Sequence, residues 1–318
     1  MNNVATVHGR TICCGIDDEI TYVFDEKAIF SDLGLSMRWP LRIFNLQGMG
    51  IDQRAFIAHM APTFQTLAWD EYDMRRGQMY FLHGAFPGEQ RRLEAFNRMY
   101  YAGKCDTSGI VDLITALSPE RRKEFDRITP HRRRSLARFR VRKVSEHCWN
   151  VVRISAGDYS QSQGGDDFRE AARTFQEMDR KVTVYPSFTK LLMRFGQIVE
   201  RIHGHPEYLE INAHQMTTIA RHGKFGDGAP EGIHQDGMDY IVSALVIERK
   251  HIHGGMSCVY GNDRKTAYLH TTLRPGFGIF QTDIESPFWH AVTPIYLDPH
   301  ANEPVGERSI MGFDIKIL

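Results

Sequence analysis

Residues 231–240 read EGIHQDGMDY, and they set His234 and Asp236 two positions apart between Gly232 and Gly237, ahead of the apolar run YIVSALVI. In an extended segment, residues i and i+2 share a face. An imidazole and a carboxylate can therefore reach one ion while Gln235 points away. Two histidines and one carboxylate on one face of an octahedron leave three positions open, which is the arrangement of non-haem Fe(II) oxygenases. Such a site needs a second histidine from a later strand. His290, in ESPFWHAVTPI, follows a polar turn and leads into an apolar strand, which makes it the preferred partner. His251 and His253 in KHIHGG and His270 in YLHTTL compete, although the first two stand beside Gly254 and Gly255, as in a loop. Arg308, in GERSIMGFDI, opens the last strand. A planar guanidinium donates two parallel hydrogen bonds to a carboxylate, the grip that a dicarboxylic co-substrate would need. Taken singly, each residue has a plainer role: a polar turn for His234 and Asp236, a hydrogen-bonded imidazole for His290, a surface ion pair for Arg308.

The elements that must position these residues change character along the chain. Residues 55–76 have apolar positions at helix-like spacing, interrupted by Pro62, and residues 88–104 form an amphipathic helix ended by Gly103. Ser118, Pro119 and Glu120 are a good helix start. From 138 to 155 the sequence alternates and is rich in valine and aromatics, so it reads as strand. Residues 187–204 are the clearest helix, with Ser187 as cap, a stripe of Leu191, Leu192, Phe195, Ile198, Val199 and Ile202, and Gly204 as stop. Everything after it is short strands separated by Gly, Pro, Asn and Asp, the pattern of a sandwich or barrel. The expected organisation is an N-terminal mixed or helical extension over 1–137, packed on a β core over 138–318. The basic run 120–143 contains acidic residues and few aromatics, and its plainer reading is a solvated helix face and loop.

Composition narrows the function classes. The chain has 318 residues, 42% hydrophobic and 25% charged, which is ordinary for a globular protein. Net charge is zero, so nothing global favours nucleic acid or an anionic membrane. Cys13, Cys14, Cys105, Cys148 and Cys258 form no CxxC pair and read as thiols in a reducing compartment. The first twenty residues lack a basic region followed by an apolar run, and no stretch is apolar enough to span a bilayer. The expectation is a cytoplasmic protein with a small-molecule substrate and neither nucleic-acid nor membrane partner; a homodimer stays open.

Three segments, EGIHQDGMDYIVSALVIERKHIHGGMSCVY, RPGFGIFQTDIESPFWHAVTPIYLDP and GERSIMGFDI, resemble the 2-oxoglutarate- and Fe(II)-dependent dioxygenases. More narrowly they resemble the branch typified by L-isoleucine 4-hydroxylase, whose members act on free amino acids. The resemblance covers about 140 to the end; the first third carries no matching motif. It implies an α+β fold with a mainly β core, a double-stranded β-helix (a cupin-like jelly roll) with supporting helices. It assigns Fe(II) to His234, Asp236 and His290, and the far carboxylate of 2-oxoglutarate to Arg308, with Thr293 as a helper. It implies Fe(II), 2-oxoglutarate and O2 as cofactor and co-substrates, and hydroxylation of an unactivated C–H bond of a free L-amino acid or close derivative, with succinate and CO2 as by-products. The family often has a histidine where Met238 stands, which bears on substrate choice and not on the metal. Glu231 is placed either to meet a cation or as an exposed turn residue. The same chemistry diverted to desaturation or ring closure, and a cupin-like metal protein without oxygenase activity, are the alternatives.

Overall fold

The computed structural model describes residues 3–7, 10–14, 20–22, 40–145, 148–155, 157, 174–204 and 206–318. Two antiparallel sheets face each other. The larger has nine strands, in the order β3 (Ile20–Tyr22), β4 (Leu41–Asn45), β13 (Phe277–Thr282), β9 (Tyr240–Lys250), β16 (Val305–Ile317), β8 (Leu209–Arg221), β6 (Arg132–Ser145) and β5 (Trp69–Asp70), with β7 (Cys148–Ile154) also paired to β6. The smaller runs β14 (Trp289–Val292), β11 (Ser257–Tyr260), β12 (Ala267–Thr271), β1 (Asn3–Val7), β2 (Arg10–Cys14), and a two-stranded piece joins β10 (Ile252–Gly254) to β15 (Ile295–Leu297). This is a double-stranded β-helix with helices on one side.

Period-two alternation explains why the large sheet has two working faces. On β6, Ala137, Phe139 and Val141 point outward, and so do Ile211 and Ala213 on β8 and Met311, Phe313 and Ile315 on β16. They pack against the stripe Phe188, Leu191, Leu192 and Phe195 of a long helix, Pro186–His203. Each of those four buried side chains contributes about 1.5–3 kcal/mol by leaving water. The opposite face of the sheet meets the small sheet through Ala244, Val246, Ile279 and Ile310 against Val259, Leu269 and Phe288. A bulge in β9 shifts its register against both β13 and β16. It brings Val242, Ser243 and Ala244, three successive residues, onto the cavity between the sheets.

The helices are α1 (Gln53–Met60), α2 (Tyr72–Ala85), α3 (Gln90–Tyr101), α4 (Val111–Thr115), α5 (Pro119–Asp126), α6 (Arg180–Thr183) and α7 (Pro186–His203). α2 to α5 share their own apolar cluster, including Met79, Leu82, Leu93, Tyr100 and Phe125. Ser118 caps α5 through Arg121 N–H. Ser187 does not cap α7: that helix starts one residue earlier, at Pro186, with Tyr185 in the cap position and no side-chain cap. Pro186 supplies a pre-set φ and needs no donor partner. The segment HAVTPIYL is two strands, because Pro294 cannot donate to a ladder. Residue 138 falls inside β6, and β4 lies within the large sheet. The run 120–143 divides: α5 carries exposed charge, whereas Arg132 on β6 is buried and Arg134 lines the cavity. Among the described residues no helix is long and apolar enough to cross a membrane.

Candidate active site

The segment 234–236 is an extended arm bridged to β14 at one residue pair. His234 and His290 form an isolated antiparallel bridge, with His234 N–H donating to His290 O at 3.0 Å and the reverse bond at 2.9 Å. That bridge joins the arm to β14, whose His290 pairs with Val259 of β11. Positive φ at Gly232 (75°) and Gly237 (82°) lets the chain turn sharply into and out of the arm. His234, Asp236 and His290 each present a ligand atom, and those atoms lie within 4.8 Å of one another. Asp236 Oδ1 is 3.6 Å from His234 Nε2, and Oδ2 is 3.3 Å from His290 Nε2. The Gly232 carbonyl can only accept, so His234 Nδ1–H donates to it at 2.8 Å and Nε2 keeps its lone pair for a metal. Burial works to raise the Asp236 pKa, yet His290 and His234 hold it well below the usual carboxylate range. Two imidazoles and a carboxylate converging from one side fit a divalent first-row ion with open positions.

Two residues hold the arm in place from behind. Gln235 points away from the triad, with Nε2 at 2.6, 3.1 and 2.9 Å from the carbonyl oxygens of Asp283, Ser286 and Phe288. Asp283 is fully buried and accepts from the backbone N–H groups of Asp236 and Met238 at 2.9 Å each. Burial first, then the charge of Asp236, pushes Asp283 up to about 7, against the pull of those amides.

Arg308 lies on the inner face of β16 and lines the same cavity, which has a volume of ≈ 110 Å³. It is 2% exposed, and its Nε and Nη2 are buried and find no hydrogen-bond partner among the described residues. Burial, then the neighbouring Arg249, pushes this guanidinium down to about 9. An arginine keeps its proton in proteins, so the shift measures how poorly the cation is solvated. An anion placed beside it would relieve that cost. Space for the side chain depends on Gly255 at φ 65°, where a Cβ would meet Arg308 Cδ at 2.9 Å and Ile295 Cγ2 at 2.8 Å.

The structure thus brings His234, Asp236, His290 and Arg308 to one cavity. Thr293 stands apart from its lining: its hydroxyl accepts from Met256 N–H at 2.9 Å. His251, His253 and His270 are also outside the lining. Sequence reasoning missed Arg132, Arg134, His214 and Asp314, all of which line the cavity. Arg132 is held between Asp70 (3.1 Å) and Asp73 (2.6 Å). The signal for Arg132 and Arg134 was there, as even positions opposite the odd apolar series Ala137, Phe139, Val141. Glu231 lines the cavity too.

The model of the 2OG-Fe dioxygenase family matches residues 123–314, more than half of the chain, and the chain belongs to that family. It is an oxidoreductase that uses Fe(II), 2-oxoglutarate and O2. Among solved structures, a bsmA homolog from Methylobium petroleophilum PM1 has the same fold, with a TM-score of 0.60 at 15% identity over 95% of this chain and 97% of that one. IDO from Bacillus thuringiensis aligns over 59% of this chain and 79% of that one, at 17% identity and a TM-score of 0.48. The Fe(II)/(alpha)ketoglutarate-dependent dioxygenase TqaL aligns over 77% and 89%, at 12% identity and a TM-score of 0.41. No curated protein matches the chain.

Proposed function

We propose that His234, Asp236 and His290 hold the Fe(II), that Arg308 takes the far carboxylate of 2-oxoglutarate, and that the enzyme hydroxylates an unactivated C–H bond of a free L-amino acid or close derivative. This is the activity of the L-isoleucine 4-hydroxylase-like branch that the sequence resembles. The observation that carries the reading is Arg308: a buried guanidinium with donors unmet among the described residues, lining the cavity that also holds the metal-ligating trio. When bound, the iron, the keto acid and O2 supply the oxidising chemistry, which converts 2-oxoglutarate to succinate and CO2 as one oxygen atom goes to the substrate.

The chain's own contribution is placement. His234 is held in one tautomer by Gly232, and the arm is fixed by Gln235 and Asp283. Arg308 orients the keto acid from the far end, and the apolar wall of Val242, Ala244 and Ile310 limits water beside it. Glu231, on the same cavity, offers a carboxylate to a substrate ammonium group. The thiols of Cys105 and Cys258 are free, which suits the reducing, cytoplasmic setting we assign.

The test is succinate formation with Fe(II) and 2-oxoglutarate against the free amino acids, with product masses read in parallel. The expected result is amino-acid-dependent succinate and a product heavier by one oxygen. Loss of two hydrogens instead would mean desaturation or ring closure. Succinate formation that no free amino acid stimulates would sink the assigned substrate class.

A further inference from the structure

We propose that Arg134, aimed by His214 and Asp314, binds the carboxylate of the substrate. The inference rests on the reading above, in which the substrate is a free amino acid or close derivative. All three residues line the cavity that contains His234, Asp236 and His290, and all three project from the inner face of the large sheet. Asp314 Oδ2 can only accept, so His214 Nε2–H donates to it at 2.8 Å. His214 Nδ1 is then bare and accepts from Arg134 Nη2–H at 3.0 Å. With one ring nitrogen donating and the other accepting, the imidazole is in its neutral form, and burial, opposed by Asp314, lowers its pKa in the same sense. A neutral imidazole orients the guanidinium without cancelling its charge. Phe175 braces Arg134 from a second side, 4.6 Å from its ring centre. Such a fixed fork is matched to a carboxylate.

Position separates this anchor from the one assigned to the keto acid. Arg134 is opposite Met216, which is opposite Ile310, so Arg134 lies two strands across and two residues along from Arg308. That separation is about 12 Å at the backbone. Arg134 also leans away from Arg308. Its partner His214 is opposite Gly312, four residues further along β16, and feels the charge of Asp236. A keto acid reaching Arg308 and the iron leaves Arg134 to the other molecule in the cavity. His214 and Asp314 act through Arg134 and are positioning residues.

The test uses the full chain with Fe(II) and 2-oxoglutarate, and compares free amino acids, their carboxamides and N-acetylated or 2-hydroxy acids by succinate formation. In the unaltered enzyme the best acid should exceed its carboxamide in kcat/KM by at least about 30-fold, the loss typical when one partner of a buried charged pair is removed. Arg134→Gln should shrink that preference to within about threefold, chiefly through KM. His214→Leu should shrink it as well, whereas His214→Gln, which can both accept and donate, should retain most of it; this pair also serves if Arg134→Gln does not fold. If N-acetylated or 2-hydroxy acids turn over while free amino acids do not, and the preference still depends on Arg134, the amino-acid reading falls and the anchor stands. An acid preference that survives in Arg134→Gln, a variant effect confined to the 2-oxoglutarate requirement, or a panel in which no carboxylate stimulates turnover would overturn the inference.

Discussion

Asp236 answers to two sets of partners at once. Its carboxylate faces the Nε2 atoms of His234 and His290, while its backbone N–H is fixed by Asp283. Asp236→Ala removes the charged member of the proposed ligand set and should abolish iron-dependent turnover. Asp283→Ala leaves His234, Asp236 and His290 present but strips two half-buried amides, of Asp236 and Met238, of their acceptor. Outer partners of metal ligands are worth about 10–100-fold in metal affinity, and a loss of that size is expected when the metal-free protein is titrated anaerobically with Fe(II). Affinity equal to the unaltered protein would show that Gln235 and the His234–His290 bridge hold the arm without Asp283. Arg308→Ala should act on the other ligand. It should raise the 2-oxoglutarate requirement by about 30-fold or more and change Fe(II) binding little. Collapse of iron affinity with an unaltered keto-acid requirement would contradict the role given to Arg308.

At the scale of elements, the helical layer is tied to the sheet through charge. Asp70 on β5 and Asp73 on α2 share one buried guanidinium, Arg132 on β6. Arg132 and His131 in turn reach carbonyls of the 227–230 loop that leads to His234. One guanidinium cannot neutralise two buried carboxylates, and burial above all holds Asp73 up at about 7 in spite of Arg132. Its folded pKa thus exceeds its unfolded value, so between pH about 4 and 7 the folded state keeps a proton that the unfolded chain releases. The Asp73 contribution to stability is therefore full below about pH 4 and falls as pH rises to 7, by about 1–4 kcal/mol. Thermal melts of Asp73→Asn should show a flatter pH dependence over that window; unchanged slopes would mean that Asp73 is ionised throughout. Legibility divides along the same line. That His234, Asp236, His290 and Arg308 share one cavity could be read because His234 and Asp236 lie within one extended stretch and His290 and Arg308 each stand near the start of a strand. The α7 stripe and the late strands were equally plain, since each shows a single period. The inner face of β6 was not, because a strand with arginines on one face and apolar residues on the other looks from composition like a solvated charge block. Arg134, His214 and Asp314 are 80 and 100 residues apart in pairs, and only the pairing of β6, β8 and β16 brings them together.

For the molecule as a whole, the decisive fact is that the site draws on both sheets. His290 belongs to the small sheet, Arg308 to the large one, and His234 and Asp236 to an arm bridged to β14. Ligands held by such a set bind the folded chain and not the unfolded one, so they should stabilise it by mass action. A ligand at 100 times its Kd adds about 2.7 kcal/mol, and in large domains each kcal/mol moves Tm by about 2–4 °C. Under argon, Fe(II) should therefore raise Tm by several degrees, and 2-oxoglutarate should add a further rise of similar size that requires the metal, because the two share one cavity. The variants separate the contributions. Arg308→Ala should keep the Fe(II) increment and lose most of the 2-oxoglutarate increment, whereas Asp236→Ala should lose both. An Arg308→Ala protein whose Tm still climbs with 2-oxoglutarate as the unaltered enzyme does would place the keto acid elsewhere in the cavity and leave the buried guanidinium without its proposed anion.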